Sequence, residues 1–73
     1  MPHIIVKLWP GRSEEQKIAL AKRMVEAMEE IMAIEDKNIS IAYEEIPKEN
    51  WMEKVYKPDI LAKENLIYKK PGY

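Results

Sequence analysis

The chain has 73 residues, 47% hydrophobic and 34% charged, with a formal net charge of −1 and no cysteine. This length predicts one small domain spanning residues 1–73, and the absence of cysteine excludes disulfide bonds and thiolate metal sites. The low net charge and the lack of an apolar run of about 20 residues give no reason to expect nucleic acid or a membrane as a partner. No signal-peptide pattern opens the chain, so we expect a cytoplasmic protein.

The second residue, Pro2, is the first candidate for chemistry. Removal of the initiator methionine before this small residue would leave the Pro2 nitrogen as a free secondary amine instead of an amide. An α-amino group has a reference pKa of about 7.7–8.0, and burial in an apolar pocket lowers that pKa because it disfavours the charged form. A base with a pKa near neutrality suits proton transfer, so Pro2 is a candidate catalytic acid and base.

The first predicted elements are a strand and a long helix. Residues 3–9 are mostly β-branched and apolar, which favours a strand, and Pro10-Gly11 ends it. Ser13 and Gln16 have the spacing of a capping box, in which both side chains bond free backbone N–H groups at a helix start. We expect the helix to run from about residue 14 to about residue 33. Its apolar stripe consists of Ile18, Ala21, Val25, Met28 and Met32.

Residues 39–45 alternate between apolar and polar side chains and predict a second strand. Strand, long helix and strand in this order predict a βαβ unit with parallel strands and a right-handed crossover. The predicted fold class is therefore α/β. Residues 48–56 predict a short helix that ends before Pro58, because a proline pushes the preceding residue out of the helical region.

One helix can cover only one face of this small sheet. Parallel sheets are normally covered on both faces, and two strands alone are marginally stable. The chain has much apolar material and no disulfide bond. These features favour a homo-oligomer in which a second copy of the chain covers the other face.

Several short segments, taken together at their spacing, carry a resemblance to a known family. Pro2-His3-Ile4, the turn Gly11–Lys17 and the distance to the second strand resemble the 4-oxalocrotonate tautomerases, which are small βαβ proteins with an amino-terminal proline base. Ile39–Ala42, Trp51 and the ending Lys69–Tyr73 are similar to the PptA subgroup of that family. The resemblance covers nearly the whole chain.

The resemblance implies roles for four residues. Pro2 matches the catalytic proline, which moves a proton between the oxygen and carbon ends of an enol. Arg12 matches an arginine that binds a substrate carboxylate, and Trp51 matches an aromatic residue that lines the pocket. Ser40 stands where the hexameric members have a second arginine, and a neutral hydroxyl can donate a hydrogen bond but cannot replace a bidentate charged group. We therefore do not expect the dicarboxylate substrate of the hexameric members.

The activity implied by the resemblance is keto–enol tautomerisation of a small α-keto acid, with an aryl pyruvate such as phenylpyruvate as a candidate and without a cofactor. The PptA-like members lack the second arginine and assemble as dimers, so we expect a homodimer, with a hexamer as the alternative. The same amine could instead add water across an activated double bond. The residues also leave open a non-catalytic oligomeric βαβ module that binds a small ligand or a protein.

Other site chemistries find little support in the sequence. His3 is the single histidine, whereas a metal site needs several converging ligands, so we expect no metal. The two glycines, Gly11 and Gly72, are too far apart to form a phosphate-binding loop. Neither Ser13 nor Ser40 has a partner base at a recognisable spacing, as a serine nucleophile requires.

Overall fold

Two strands and one long helix form the βαβ part of the chain. In the computed structural model, which describes residues 1–73, these elements are β1 (His3–Leu8), α1 (Glu14–Met32) and β2 (Ser40–Glu45). Each boundary lies within one residue of the boundary predicted from the sequence. The α/β fold class is confirmed.

The two strands pair directly in a two-stranded sheet. The Ser40 N–H donates to the Pro2 carbonyl at 3.2 Å, and the Ile46 N–H donates to the Leu8 carbonyl at 2.8 Å. In both bonds the donor lies 38 residues after the acceptor. A constant offset is the register of parallel strands, so the predicted parallel pairing is confirmed.

The start of α1 is fixed by the side chains of its N-cap residue and of its third residue. The Gln16 N–H donates to the Ser13 hydroxyl, and the Ser13 N–H donates to the Gln16 side-chain carbonyl, both at 3.1 Å. These two bonds complete the predicted capping box. The helix ends at Ala33, which has a φ of 54° and donates its N–H to the Met28 carbonyl. A left-handed residue in this position satisfies a carbonyl that the helix itself leaves free.

Contacts divide the chain into two compact units, which are described separately below. The first unit comprises Met1–Val6 and Gly11–Glu44, and the second comprises Lys7–Pro10 and Glu45–Tyr73. The sequence-based expectation of a single domain over residues 1–73 stays a prediction.

Within the first unit, α1 lies on one face of the strands. The Tyr43 hydroxyl donates to the Lys17 carbonyl at 2.8 Å, which places the Tyr43 side of β2 against the helix. Successive side chains of a strand alternate between faces, so Ser40 and Ala42 lie on the opposite face. Ile41 lies on the same face of β2 as Tyr43.

The second unit differs from the sequence-based prediction. In place of a short helix that ends before Pro58, a 3₁₀ turn, Lys48–Asn50, is followed by a π-helix, Met52–Leu61, that contains Pro58. The Ala62 N–H donates to the Lys57 carbonyl, five residues back, at 2.9 Å. In an α-helix, a proline ring clashes with the carbonyl four residues back. A π-helical turn directs that carbonyl to another residue, which explains why the helix continues past Pro58.

Few apolar side chains are shielded from solvent. Val55 of the π-helix, 4% exposed, is the only buried hydrophobic residue. In α1, Ile18, Ile31 and Met32 are 67%, 79% and 62% exposed, whereas Ala21, Val25 and Met28 are partly buried. The predicted stripe of α1 therefore faces the sheet only in its middle. No helix of the chain is both long and apolar enough to cross a membrane.

Candidate active site

Pro2 lies immediately before β1 and is anchored through its backbone. Its carbonyl accepts the N–H of Ser40, and its side chain is partly buried, whereas Met1 is 98% exposed. The parallel register of the sheet therefore fixes the position of the Pro2 ring at the beginning of the first strand. The chain as described retains Met1, so the Pro2 nitrogen here is part of a peptide bond.

Ser40 lies next to Pro2 and also contacts the only histidine. Its hydroxyl oxygen is 2.7 Å from Nδ1 of His3, and both residues are exposed. The direction of this hydrogen bond depends on the histidine tautomer, because a neutral imidazole has one donor nitrogen and one acceptor nitrogen. The pair offers hydrogen-bonding groups to a ligand on the sheet face opposite α1. No short-range pattern predicts that His3 and Ser40 meet, since 37 residues separate them.

Arg12 lies in the turn that leads into α1. The preceding residue, Gly11, has a φ of 122°, a conformation that is strained for a residue with a side chain. Arg12 is exposed, and its guanidinium forms no ion pair with a carboxylate of the chain. An exposed guanidinium without an internal partner is free to bind an external carboxylate through two parallel N–H bonds.

Trp51 belongs to the second unit, between the 3₁₀ turn and the π-helix. Its indole N–H donates to the hydroxyl of Tyr73 at 2.8 Å. The Tyr73 ring lies 5.5 Å from the Tyr56 ring, at an interplanar angle of 40°. The hydrogen bond to Tyr73, whose own ring contacts Tyr56, therefore orients the Trp51 ring.

Trp51 also lines an open groove within the second unit, which we call the aromatic groove. The groove has a volume of about 600 Å³, in the range of sites for small organic molecules. Its lining is mainly apolar and aromatic, with two lysines and no carboxylate. The lining residues are Lys7, Leu8, Trp9, Lys48, Trp51, Met52 and Tyr73.

The structure thus distributes the four predicted site residues between both units. Pro2 and Ser40 meet through a backbone hydrogen bond, Arg12 lies in the turn before α1, and Trp51 lies in the aromatic groove. Sequence reasoning missed His3 as a partner of Ser40 and Tyr73 as a partner of Trp51. No group of three or more His, Cys, Asp or Glu side chains is placed to hold a metal ion.

The chain is an α/β protein, built around a βαβ unit with a proline immediately before the first strand. A sequence profile described as "Tautomerase enzyme" matches residues 2–55. The chain belongs to the tautomerase family, and the predicted family is confirmed.

Two relatives match the whole chain, and one solved structure matches about two thirds of it. A "Probable tautomerase" of Xylella fastidiosa (strain 9a5c) is 41% identical over 73 residues, which cover 100% of this chain and 89% of the relative. "Tautomerase PptA" of Pectobacterium carotovorum subsp. carotovorum (strain PC1) is 36% identical over 74 residues, covering 100% and 97%. The crystal structure of YwhB, a homologue of 4-oxalocrotonate tautomerase, superposes with a TM-score of 0.62 at 34% identity and covers 64% of this chain and 77% of that chain.

Proposed function

We propose that this tautomerase interconverts the enol and keto forms of a small α-keto acid, such as an aryl pyruvate, with Pro2 as acid and base. The proposal rests chiefly on the family match, which begins at residue 2. It is supported by the backbone bond that holds Pro2 beside Ser40. Removal of Met1 is part of the proposal, because an amide nitrogen is not a base.

In the proposed reaction the neutral Pro2 amine removes the proton from the enol hydroxyl. The electron pair of the broken O–H bond forms the carbonyl, and the enol double bond shifts its electrons to the neighbouring carbon. The protonated amine then delivers a proton to that carbon, so the amine is regenerated and no cofactor is consumed. The reverse sequence converts the keto form into the enol.

Three further residues are proposed to bind the substrate. Arg12 binds the carboxylate, which also stabilises the negative charge that develops on the neighbouring oxygen. Trp51 provides an aromatic surface for the substrate side chain, and Ser40 provides a hydrogen-bonding group beside Pro2. The exposed guanidinium of Arg12 and the fixed ring of Trp51 support these roles.

We further propose that the chain works as a homodimer, with a hexamer as the alternative. A chain with one buried hydrophobic residue and several large exposed apolar side chains on α1 has apolar surface for a second copy to cover. Sedimentation velocity over a range of protein concentrations distinguishes a dimer from a hexamer. A monomer at all concentrations contradicts the proposal.

The central experiment replaces Pro2 with alanine and follows the ketonisation of phenylenolpyruvate by its ultraviolet absorbance. Once Met1 is removed, alanine in second position also carries a free α-amine, so Pro2→Ala removes the ring that fixes the base, and we expect kcat to fall. Intact mass spectrometry must first establish that Met1 is absent from both proteins. A preparation of the unchanged chain that retains Met1 keeps the ring and blocks its nitrogen; because general acid–base catalysis contributes roughly 100-fold or more to a rate, its kcat should be lower by at least about 100-fold. A Met1-retaining preparation with activity within twofold of the processed chain excludes the Pro2 nitrogen as the base, and a Pro2→Ala variant within twofold shows that the ring is not needed.

A further inference from the structure

The aromatic groove contains a cation that none of the proposed roles uses. Nζ of Lys48 lies 5.2 Å from the centre of the Trp9 ring, close enough for the ring to attract the ammonium group. Lys48 follows Pro47, whose fixed φ limits the backbone at the start of the 3₁₀ turn Lys48–Asn50. The ammonium of Lys48 therefore lies at the groove, beside the Trp9 ring.

The charge of Lys48 is available to a ligand. The other lysine of the groove, Lys7, bonds the Asp59 carboxylate at 2.5 Å, which compensates its charge. Lys48 forms no ion pair with a carboxylate of the chain, and no Asp or Glu lines the groove. An anionic group in the groove would thus meet one uncompensated positive charge beside apolar walls.

The groove also offers a rigid surface for a planar ring. Tyr73 accepts the Trp51 N–H, so the polar edge of the indole is occupied and its ring face is set. Met52, which follows Trp51 and is 49% exposed, adds a polarisable apolar group to the same lining. Aromatic rings pack well on such faces and against thioether sulfur.

We propose that Lys48 is a specificity-determining residue that binds the carboxylate of an aromatic ligand whose ring lies against Trp51. Trp9 positions the Lys48 ammonium, and Tyr73 positions the Trp51 ring. The inference rests on the proposed function, because Trp51 takes part in both.

The test measures binding without turnover. Isothermal titration calorimetry compares 3-phenylpropionate, an aromatic carboxylate with no enol, with the neutral 3-phenylpropan-1-ol and the aliphatic hexanoate. The unchanged chain should bind 3-phenylpropionate more tightly than either of the other two. Lys48→Met, which keeps the length of the side chain and removes its charge, should raise the Kd for 3-phenylpropionate about tenfold, the usual effect of losing a charge-assisted hydrogen bond. The same variant should bind the alcohol unchanged.

Lys54→Met is the matched control, because Lys54 is an exposed lysine of the same unit outside the groove. The Kd of this variant for 3-phenylpropionate should stay within twofold of the Kd of the unchanged chain. Lys48→Arg should restore binding to within about threefold, since the charge returns. Equal Kd values for Lys48→Met and Lys54→Met overturn the inference, as does equal binding of the acid and the alcohol by the unchanged chain. Absence of saturable binding also overturns it, and is the result expected if a second copy of the chain fills the groove.

An enol-turnover assay on the same proteins, run beside the calorimetry, separates this inference from the proposed function. Turnover of enols with no effect of Lys48→Met on binding contradicts the role of Lys48 alone. A Lys48-dependent Kd in a protein that shows no turnover contradicts the proposed tautomerisation and leaves the groove as a binding site for aromatic carboxylates.

Discussion

The two units of the chain carry different kinds of candidate functional group. The first unit consists of regular elements, α1 and most of β1 and β2, and carries the proline ring, a hydroxyl, an imidazole and a guanidinium. The second unit consists largely of a π-helix and 3₁₀ turns, and contributes aromatic rings and a lysine around an open groove. Groups that can move protons or bind a carboxylate bidentately are concentrated in the first unit. Groups that recognise a ring are concentrated in the second.

Under the proposed roles, the first unit carries out catalysis and the second unit selects among substrates. If the proposed roles are correct, a substitution in the first unit should reduce turnover for every α-keto acid, whatever its side chain. A substitution in the aromatic groove should instead raise KM for aromatic substrates and leave small aliphatic ones nearly unaffected. Interactions made equally in the ground state and the transition state change KM, whereas interactions gained in the transition state change kcat.

After Pro2, the largest effect should come from Arg12. Arg12→Ala removes a charge-assisted, bidentate contact with the carboxylate, so kcat/KM should fall roughly tenfold to hundredfold for aromatic and aliphatic α-keto acids alike. Arg12→Lys should give an intermediate loss, because a lysine keeps the charge but not the fork of donors. Steady-state kinetics with phenylenolpyruvate and with enolpyruvate measures both.

The other arginine of the chain provides the control for Arg12. Arg23 lies on α1, is 83% exposed and forms only a 3.9 Å contact with Glu26. Arg23→Ala should leave kcat/KM within twofold, since an exposed ion pair of this kind contributes little. If the two alanine variants behave alike, Arg12 is a solvated residue of the turn and the first unit lacks its proposed carboxylate-binding group.

The sequence predicted the first unit much better than the second, for a physical reason. The capping box of Ser13 and Gln16 is a fixed local spacing. The alternation of β2 repeats with the two-residue period of a strand. The π-helix has no comparable sequence period from which it could be predicted. The prediction that the helix ends before Pro58 assumed α-helical geometry, in which a proline breaks the helix.

The candidate site was predictable only in part. Local motifs and the family resemblance identified Pro2, Arg12, Ser40 and Trp51. Contacts between distant residues, such as His3 with Ser40 and Trp51 with Tyr73, depend on tertiary structure and leave no short-range signal. The proposed oligomeric assembly belongs to the same category, because exposed apolar residues do not specify which surfaces two copies of the chain would bring together.

A smaller effect is expected from Tyr73, in the second unit. Tyr73→Phe removes the acceptor of the Trp51 N–H and keeps the ring beside Tyr56. The net value of a neutral hydrogen bond is about 0.5–1.5 kcal/mol, so KM for an aromatic substrate should rise about twofold to tenfold while kcat stays nearly constant. The control is Tyr68→Phe, since Tyr68 is fully exposed. A fall in kcat with KM unchanged would show that Tyr73 acts on the reaction step. It would contradict the assignment of catalysis to the first unit alone.

The smallest effect should come from Ser40, and it tests whether the hydroxyl or the backbone of that residue matters. Ser40→Ala keeps the N–H that donates to the Pro2 carbonyl and removes only the hydroxyl beside His3. Because both side chains are exposed, water replaces the lost bond, and we expect the free energy of unfolding to change by less than about 0.5 kcal/mol. If the hydroxyl also binds substrate, kcat/KM should fall about twofold to threefold, the lower end for a neutral hydrogen bond.

His3→Gln, measured in parallel, removes the imidazole and leaves the Ser40 hydroxyl in place. Equal losses in the two variants indicate that the pair acts together, whereas a loss larger than tenfold in either one would assign the pair a part in proton transfer itself.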